Sequence, residues 1–325
     1  MADATAGEAA TAHAGFTPVP ACWICGGTEL RPVNRAIFEF GEYRRQDPEL
    51  ARYTGATVDL VRCARCGFGQ PAALPSLERF FDRMYDQRWS REWMADEFRD
   101  ATKDLIFRSV LGGLAKRLPP ARRTLLDVGA HVGRLIHVAS KAGWTVEGVE
   151  VNPSTSAYAV EATGLTVHRA GLRDLADEGR RFDAVTMVDV LEHIPEPVGA
   201  LKAAVKLLAP GGWIAVKVPE GRNQLRKELI RGRVRPGYRP TVADNLVHVN
   251  HFTAESLRRG MEQAGLESVT VGSAAPVLPP HSAGAARRIA GSVLPMAFWT
   301  ISRTLPGGVR SPLALNLIAF GRQPG

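Results

Sequence analysis

TLLDVGAHVGRLIHVA, residues 124–139, joins an apolar run to a glycine-punctuated bend and then to a second apolar run at helical spacing. It reads as a buried strand that enters a tight loop and leaves as a helix. Asp127 closes the strand, Gly129 sits in the bend and Gly133 opens the helix. His131 stands where the sharpest part of such a loop favours glycine. Its ring is therefore expected to point away from whatever the loop holds, weakening the fit without abolishing it. A dinucleotide fingerprint, G-x-G-x-x-G, would need glycine where His131 and Arg134 stand, so a nicotinamide or flavin enzyme is disfavoured. The phosphate-binding loop ending in Lys-Ser/Thr is absent as well.

Downstream of this stretch, strands and helices alternate. Strands are predicted at 124–128, 145–149, 165–168, 183–188 and 213–218, with helices beginning near Gly133, Pro153, Pro195 and Thr253. FTAESLRRGMEQAGLESVTV (252–271) reads as a helix followed by a strand, and LALNLIAFGR (313–322) as a closing strand. Apolar strands alternating with helices imply a parallel sheet covered on both faces. Upstream, Leu105, Ile106, Val110, Leu111 and Leu114 recur at helical spacing, and PPARR (119–123) marks a boundary. The organisation expected is a disordered tail (1–19), a metal-binding module (20–80), a helical linker or cap (81–118) and an α/β domain (119–325) with a basic-apolar insertion at 281–306.

The metal-binding module rests on the cysteines. All four lie in two pairs, Cys22/Cys25 in CWIC and Cys63/Cys66 in CARC, each followed by a glycine, Gly26 or Gly67. Two such knuckles make a tetrahedral thiolate site that suits structural zinc. The 37 residues between Cys25 and Cys63 are more than a minimal ribbon needs, so a hairpin or helix must be inserted.

DVGAHVG resembles motif I of class I S-adenosylmethionine-dependent methyltransferases, D/E-x-G-x-G-x-G, with His131 in place of the middle glycine. The resemblance extends over about residues 120–325: FDAVTMVDVLEHIPEP (182–197) is similar to the family's fourth strand and turn, and LLAPGGWIAVKVP (207–219) to its fifth strand. It implies a Rossmann-like, seven-stranded doubly wound sheet with the last strand antiparallel, here preceded by a zinc-ribbon-like module. Asp127, Gly129 and Gly133 would form the cofactor loop. Glu150, 23 residues past Asp127, would accept the ribose hydroxyls. Gly171 and Leu172 would border the adenine, and Met187 to Asp189 would run past the methionyl end. Asp189 is either a polar contact there or a helix-starting residue.

Methyl transfer to a hydroxyl or carbon needs alignment, exclusion of water and a proton acceptor. His193 in LEHIP and His248 and His251 in NLVHVNHF fall on loops at the sheet's C-terminal edge. His248 is the first candidate base and His251 the second; His193 also reads as a turn residue. VHVNHF resembles the EHxxYF stretch of zinc-bearing sugar C-methyltransferases, with Val247 for the glutamate and His251 for the tyrosine. C-methylation is disfavoured by those departures.

Arg222, Arg226, Lys227, Arg231, Arg233, Arg235 and Arg239 crowd the segment before these histidines. They are either a solvated face or the attraction for a phosphorylated or acidic small-molecule acceptor. The net charge of +8 agrees with an acidic partner. An RNA substrate is disfavoured because VDVLEHIP replaces the N-P-P-F/Y of base methylation and no aromatics interleave the basic run. A non-catalytic cofactor-binding scaffold is the third reading. Residues 285–305 pair Arg287 and Arg288 with an apolar face and read as a lid or packing helix, a dimer surface or a peripheral membrane contact. With neither a signal peptide nor a run of about 20 apolar residues, a cytoplasmic location is expected. Oligomeric state stays open.

Overall fold

The computed structural model describes residues 15–86, 90–234 and 248–325. The N-terminal part carries strands β1 (Phe16–Pro18), β2 (Leu30–Ile37), β3 (Thr57–Cys63), β4 (Gly69–Pro71) and β5 (Ala73–Pro75), with a one-turn helix α1 (Pro48–Ala51). β2, β3 and β4 form an antiparallel sheet, and β1 pairs antiparallel with β5. The long insertion between the cysteine pairs thus holds most of a hairpin together with a short helix. The tail expected over 1–19 ends earlier than its composition suggested, because Phe16 docks edge-on against Phe38 and Tyr53 and that apolar contact orders β1. Residues 1–14 lie outside the described residues.

Helices α2 (Phe80–Asp86), α3 (Arg91–Asp100) and α4 (Asp104–Ala115) follow. Ser90 caps α3 by accepting the Trp93 amide, and α3 stops at Ala101, whose φ of 53° is left-handed. α4 buries Ile106, Phe107, Val110, Leu111 and Leu114, the face its periodicity predicted, with Leu105 half-buried.

The larger sheet is made of β6 (Thr124–Val128), β7 (Thr145–Val149), β8 (Val167–His168), β9 (Phe182–Val188), β10 (Leu208–Pro219), β11 (Glu267–Ser273) and β12 (Asn316–Arg322). The helices between them are α5 (Arg134–Lys141), α6 (Pro153–Thr163), α7 (Leu172–Asp177), α8 (Pro197–Lys206), α9 (Gly221–Val234), α10 (Ala254–Gln263) and α11 (Ala285–Thr304). Strand order is β11-β12-β10-β9-β6-β7-β8, and β12 runs antiparallel to both neighbours. The sheet is the seven-stranded Rossmann-like arrangement that the sequence implied. Strand order reverses between β6 and β9, and the crevice beyond their C-terminal ends is where ligands bind in such sheets. Leu125, Leu126, Val185, Met187, Ile214 and Val216 are wholly buried, so each central strand reads as a nearly continuous apolar run.

The cysteine module is welded to this domain. Phe68 packs edge-on against Phe252 at 5.0 Å. Gly69 and His251 exchange two backbone hydrogen bonds of 3.0 and 2.9 Å. Thr253 caps α10, and its hydroxyl also donates to the Cys66 carbonyl at 3.1 Å. A Cβ at Gly69 would lie 3.0 Å from that of His251, so this close approach leaves little space for a side chain.

Candidate active site

β6 delivers the chain into the bend at Gly129, where φ is +73° and a Cβ would lie 2.5 Å from Val190 Cγ2. Only glycine satisfies both the dihedral and the contact. Gly133, at φ +81°, faces Ala159 and Thr163 with similarly little space. His131 also takes a left-handed φ, +50°. Histidine is among the residues that visit this region, so the loop keeps its bend without the middle glycine. The imidazole is no surface ornament. It packs edge-on against Trp93 of α3 at 5.5 Å and forms part of a cavity wall. Burial, with help from the Lys103 charge, lowers its pKa to about 4 and keeps the ring neutral.

The cavity measures about 1030 Å3 and runs from the α3–α4 junction across the tips of β6, β7 and β9 to His248. On its β7 side Glu150 is held by two backbone amides: His131 N–H donates to Oε2 and Asn152 N–H to Oε1, both at 2.9 Å. Asn152 in turn caps α6 by accepting from Ser154 and Thr155. Each carboxylate oxygen has two lone pairs, so a carboxylate fixed in this way can accept further hydroxyl donors. Gly171 and Leu172, at the start of α7, line the same end. Asp127 accepts from the Thr186 hydroxyl at 2.7 Å. Burial, reinforced by the Glu150 charge, pushes its carboxyl up to about 7.

The other end is a charge cluster that sequence reading found only in part. Asp189, at φ +57°, is paired with the buried Lys217 ammonium and with Lys103 Nζ, the latter at 3.1 Å. Those two cations hold its carboxyl well below the usual range despite burial. Neither a methionyl contact nor a helix start anticipated this role for Asp189. Next to it Glu192 is 1% exposed, and neither carboxyl oxygen has a hydrogen-bond partner among the described residues. Burial first, then the Asp189 charge, raises Glu192 to about 8.

The His193 and His248 rings meet edge-on at 4.9 Å. One donor atom from each of Glu192, His193 and His248 lies within 4.8 Å of the other two. His248 Nδ1 is 2.6 Å from the Gln224 amide of α9, and burial, with the neighbouring His193, lowers its pKa to about 3. Thus His193 and His248 line the cavity while His251 does not: it is buried in the bridge to Gly69. Of the arginines flagged at 222–239, Arg222 and Arg231 pair with Glu220 and Glu228, and Arg235 and Arg239 lie outside the described residues. None of the described basic residues of α9 lines the cavity; its wall cations are Lys103, Arg134, Arg173 and Lys217.

Lys217 had one sequence signal, a lone lysine in the apolar strand WIAVKVP. Trp93, Lys103 and Gln224 had none, because three distant segments bring them together.

The four cysteines converge as their spacing required. Cys22 and Cys66 sulfurs are 3.6 Å apart, Cys25 and Cys63 sulfurs 3.5 Å, and all four lie within 4.8 Å of one another. Each knuckle closes with a backbone bond, Cys22 N–H to Gly27 O and Cys63 N–H to Phe68 O, and turns through a left-handed glycine at Gly26 and Gly67. Sulfurs bonded to one tetrahedral zinc at about 2.3 Å would stand roughly 3.8 Å apart, so the donor set fits that ion. The hydrogen bond to Cys66 lowers the Cys22 thiol to about 5, leaving a ready thiolate in the set.

A Rossmann-like sheet with a glycine bend after its first strand and a carboxylate at the tip of its second defines a nucleoside-cofactor-binding α/β protein. A family model described as a methyltransferase domain matches residues 93–271, more than half of the chain. The chain belongs to that family. It is 32% identical over 111 residues to the ubiquinone biosynthesis O-methyltransferase of Paracidovorax citrulli, a stretch covering 32% of this chain and 47% of the relative. The protein of the same name from Cereibacter sphaeroides is 36% identical over 104 residues, 30% of this chain and 42% of the relative. The chain therefore spans less than half the length of these curated relatives. Among solved structures, an S-adenosylmethionine-dependent methyltransferase from Archaeoglobus fulgidus aligns with TM-score 0.47 and 14% identity, over 72% of this chain and 100% of that one. The magnesium protoporphyrin IX methyltransferase of Synechocystis PCC 6803, with bound SAH, aligns with TM-score 0.44 and 16% identity, over 75% and 92%.

Proposed function

We propose that the protein methylates a hydroxyl of a small acceptor, a sugar, glycolipid or secondary metabolite, with His248 as proton acceptor and the four-cysteine module held by structural zinc. The observation that carries this reading is the single cavity joining the Glu150 end to the Glu192–His193–His248 end. Its volume of about 1030 Å3 lies at the top of the range for small-molecule sites and suits a cofactor together with an acceptor. The curated relatives being named O-methyltransferases supports a hydroxyl target.

In this reading Glu150 accepts the ribose hydroxyls, the backbone from Gly129 to Gly133 passes beneath the methionyl moiety, and Leu172 borders the adenine. Lys103, half-buried at the rim, is placed to meet a carboxylate. S-adenosylmethionine held there supplies an electrophilic methyl group. The chain's own task is to orient the acceptor, keep out water and take up a proton.

His248 stays neutral throughout the physiological range, which is the protonation state a base requires. Gln224 controls its tautomer: the amide nitrogen at 2.6 Å donates to Nδ1 and leaves the proton on Nε2. Turning the amide end for end puts its oxygen, unpartnered among the described residues, on Nδ1–H and frees Nε2 for the acceptor hydroxyl. His193 packs against the ring and fixes its plane. Glu192, ionised above about pH 8, adds a negative charge beside the rings and favours the imidazolium that forms.

The test is a labelled-methyl screen against hydroxylated sugars, phenols and their phosphates, run beside His248→Ala. Loss of about 100-fold or more in kcat with unchanged cofactor affinity is expected. Undiminished turnover would remove His248 as the base.

A further inference from the structure

α11, inserted between β11 and β12, is anchored by one face only. Trp299 Nε1 donates to the Ser273 carbonyl at 3.2 Å, and the buried Ser302 hydroxyl donates to Ser273 Oγ at 2.7 Å. Near the middle of the helix Gly291 lies so close to Pro279 that a Cβ would come within 2.7 Å of its ring. The opposite face should be polar if the helix merely packs or covers. Instead Ile289 is 68%, Val293 59%, Leu294 61% and Ile301 39% exposed, with Ala286, Ala290 and Ala297 exposed among them. At 3.6 residues per turn these seven share an arc of about 140°, free of charged side chains. Leu305, 54% exposed, extends the arc past the helix end. No residue of α11 lines the cavity, so it is not a lid in this conformation.

We propose that this face docks on an anionic lipid surface, with α11 lying in the plane of the interface. Charge selects the occupant. After Glu267 the remaining 58 residues contain no acidic side chain, and their only charged groups are Arg287, Arg288, Arg303, Arg310 and Arg322. Arg287 and Arg288 stand at the start of the helix, while Arg303, stacked on Trp299, and Arg310 stand at its end. An apolar strip bracketed by arginines matches acyl chains flanked by lipid phosphates. A second copy of the helix would set arginine against arginine in either orientation. An exposed apolar face of this kind, interrupted only by Thr300 and Thr304, whose hydroxyls are bonded to the helix's own carbonyls, is rare unless something covers it. No helix among the described residues is long and apolar enough to cross a membrane, so contact is with the surface.

Docking would also bring the cavity rim toward that surface. The loop leading into α11 donates from Leu278 N–H to the Thr102 carbonyl at 2.9 Å and from His281 N–H to the Asp100 carbonyl at 3.1 Å, and Thr102 lines the cavity. The proposal itself does not depend on which acceptor the cavity takes.

Co-sedimentation of the full chain with phosphatidylcholine vesicles, with and without phosphatidylglycerol, tests it. Partitioning into the anionic vesicles is expected, much weaker into the neutral ones, and falling with salt. Val293→Glu with Leu294→Glu, both on the solvent face, should weaken partitioning about tenfold or more while leaving the melting temperature unchanged. Arg287→Gln and Arg288→Gln should each cost roughly fivefold and flatten the salt dependence. Absence of partitioning, equal partitioning of the double glutamate variant, or a dimer in sedimentation velocity that those glutamates dissolve would each overturn the proposal.

Discussion

Glu192→Gln isolates the cost of an unpartnered carboxyl under the active site. Glu192 is 1% exposed, lacks a hydrogen-bond partner among the described residues and sits beside the Asp189 carboxylate. Its pKa rises from 4.5 to about 8 on folding. Between those values the folded protein holds a proton that the unfolded chain has released, so stability declines as pH rises through that window. At about 1.4 kcal/mol for each pH unit, the whole window is worth up to about 5 kcal/mol, lost progressively from pH 4.5 to 8 and constant above. Glutamine keeps the shape and removes the titration. The variant should therefore differ little from wild type near pH 5, gain steadily on it to pH 8 and hold its lead beyond. Urea denaturation of both proteins at pH 5, 7 and 9, read by tryptophan fluorescence, measures the difference directly. Parallel stability curves would refute the reasoning, since they would mean that Glu192 titrates alike in folded and unfolded chains.

Three further outcomes follow from the site. Glu150→Ala removes the carboxylate pinned by His131 and Asn152 and should weaken S-adenosylhomocysteine binding by roughly 10- to 100-fold in calorimetry, the worth of hydrogen bonds to a charged acceptor. Gly129→Ala forces a Cβ to within 2.5 Å of Val190 at a left-handed φ, and should destabilise the fold by about 2–4 kcal/mol in the same urea assay. Stripping metal from the cysteine set with a chelator should lower the melting temperature and loosen the His248 loop, because Phe68 and Gly69 hold Phe252 and His251; zinc, and not magnesium, should restore both.

The pH–rate profile gives a separate check on the base. With His248 lowered to about 3 and Glu192 raised to about 8, kcat/KM should climb toward alkaline pH and show no break near the ordinary histidine value of about 6.5. A single break at that ordinary value would place an exposed histidine in the role.

Much of the architecture could be read before any coordinates, because its signals are local. Residues 124–128, 145–149 and 183–188 are apolar runs bounded by turns, and each became a strand within a residue of its expected limits. The paired cysteines with their trailing glycines fixed the knuckles, since two thiolates and one turn lie within six residues. The position of Glu150 at the tip of β7 was legible because strand length and the β6–α5–β7 crossover set its distance from Asp127. His131 was only half legible. That a non-glycine would tolerate the bend follows from its chemistry, but its place against Trp93 depends on α3, which no local pattern positions over the loop.

The sequence alone determined the order of elements, the glycine bend, the carboxylate beyond it and the sulfur donor set, because each is fixed by neighbours a few residues away. Only the tertiary structure decided which histidines face the cavity, that His251 is spent joining the cysteine module to the α/β domain, and that Lys103, Lys217 and Asp189 form one buried ion cluster. These depend on segments up to more than a hundred residues apart in the chain meeting in space. Their energetics, burial against charge pairing, exist only once water has been excluded from between them.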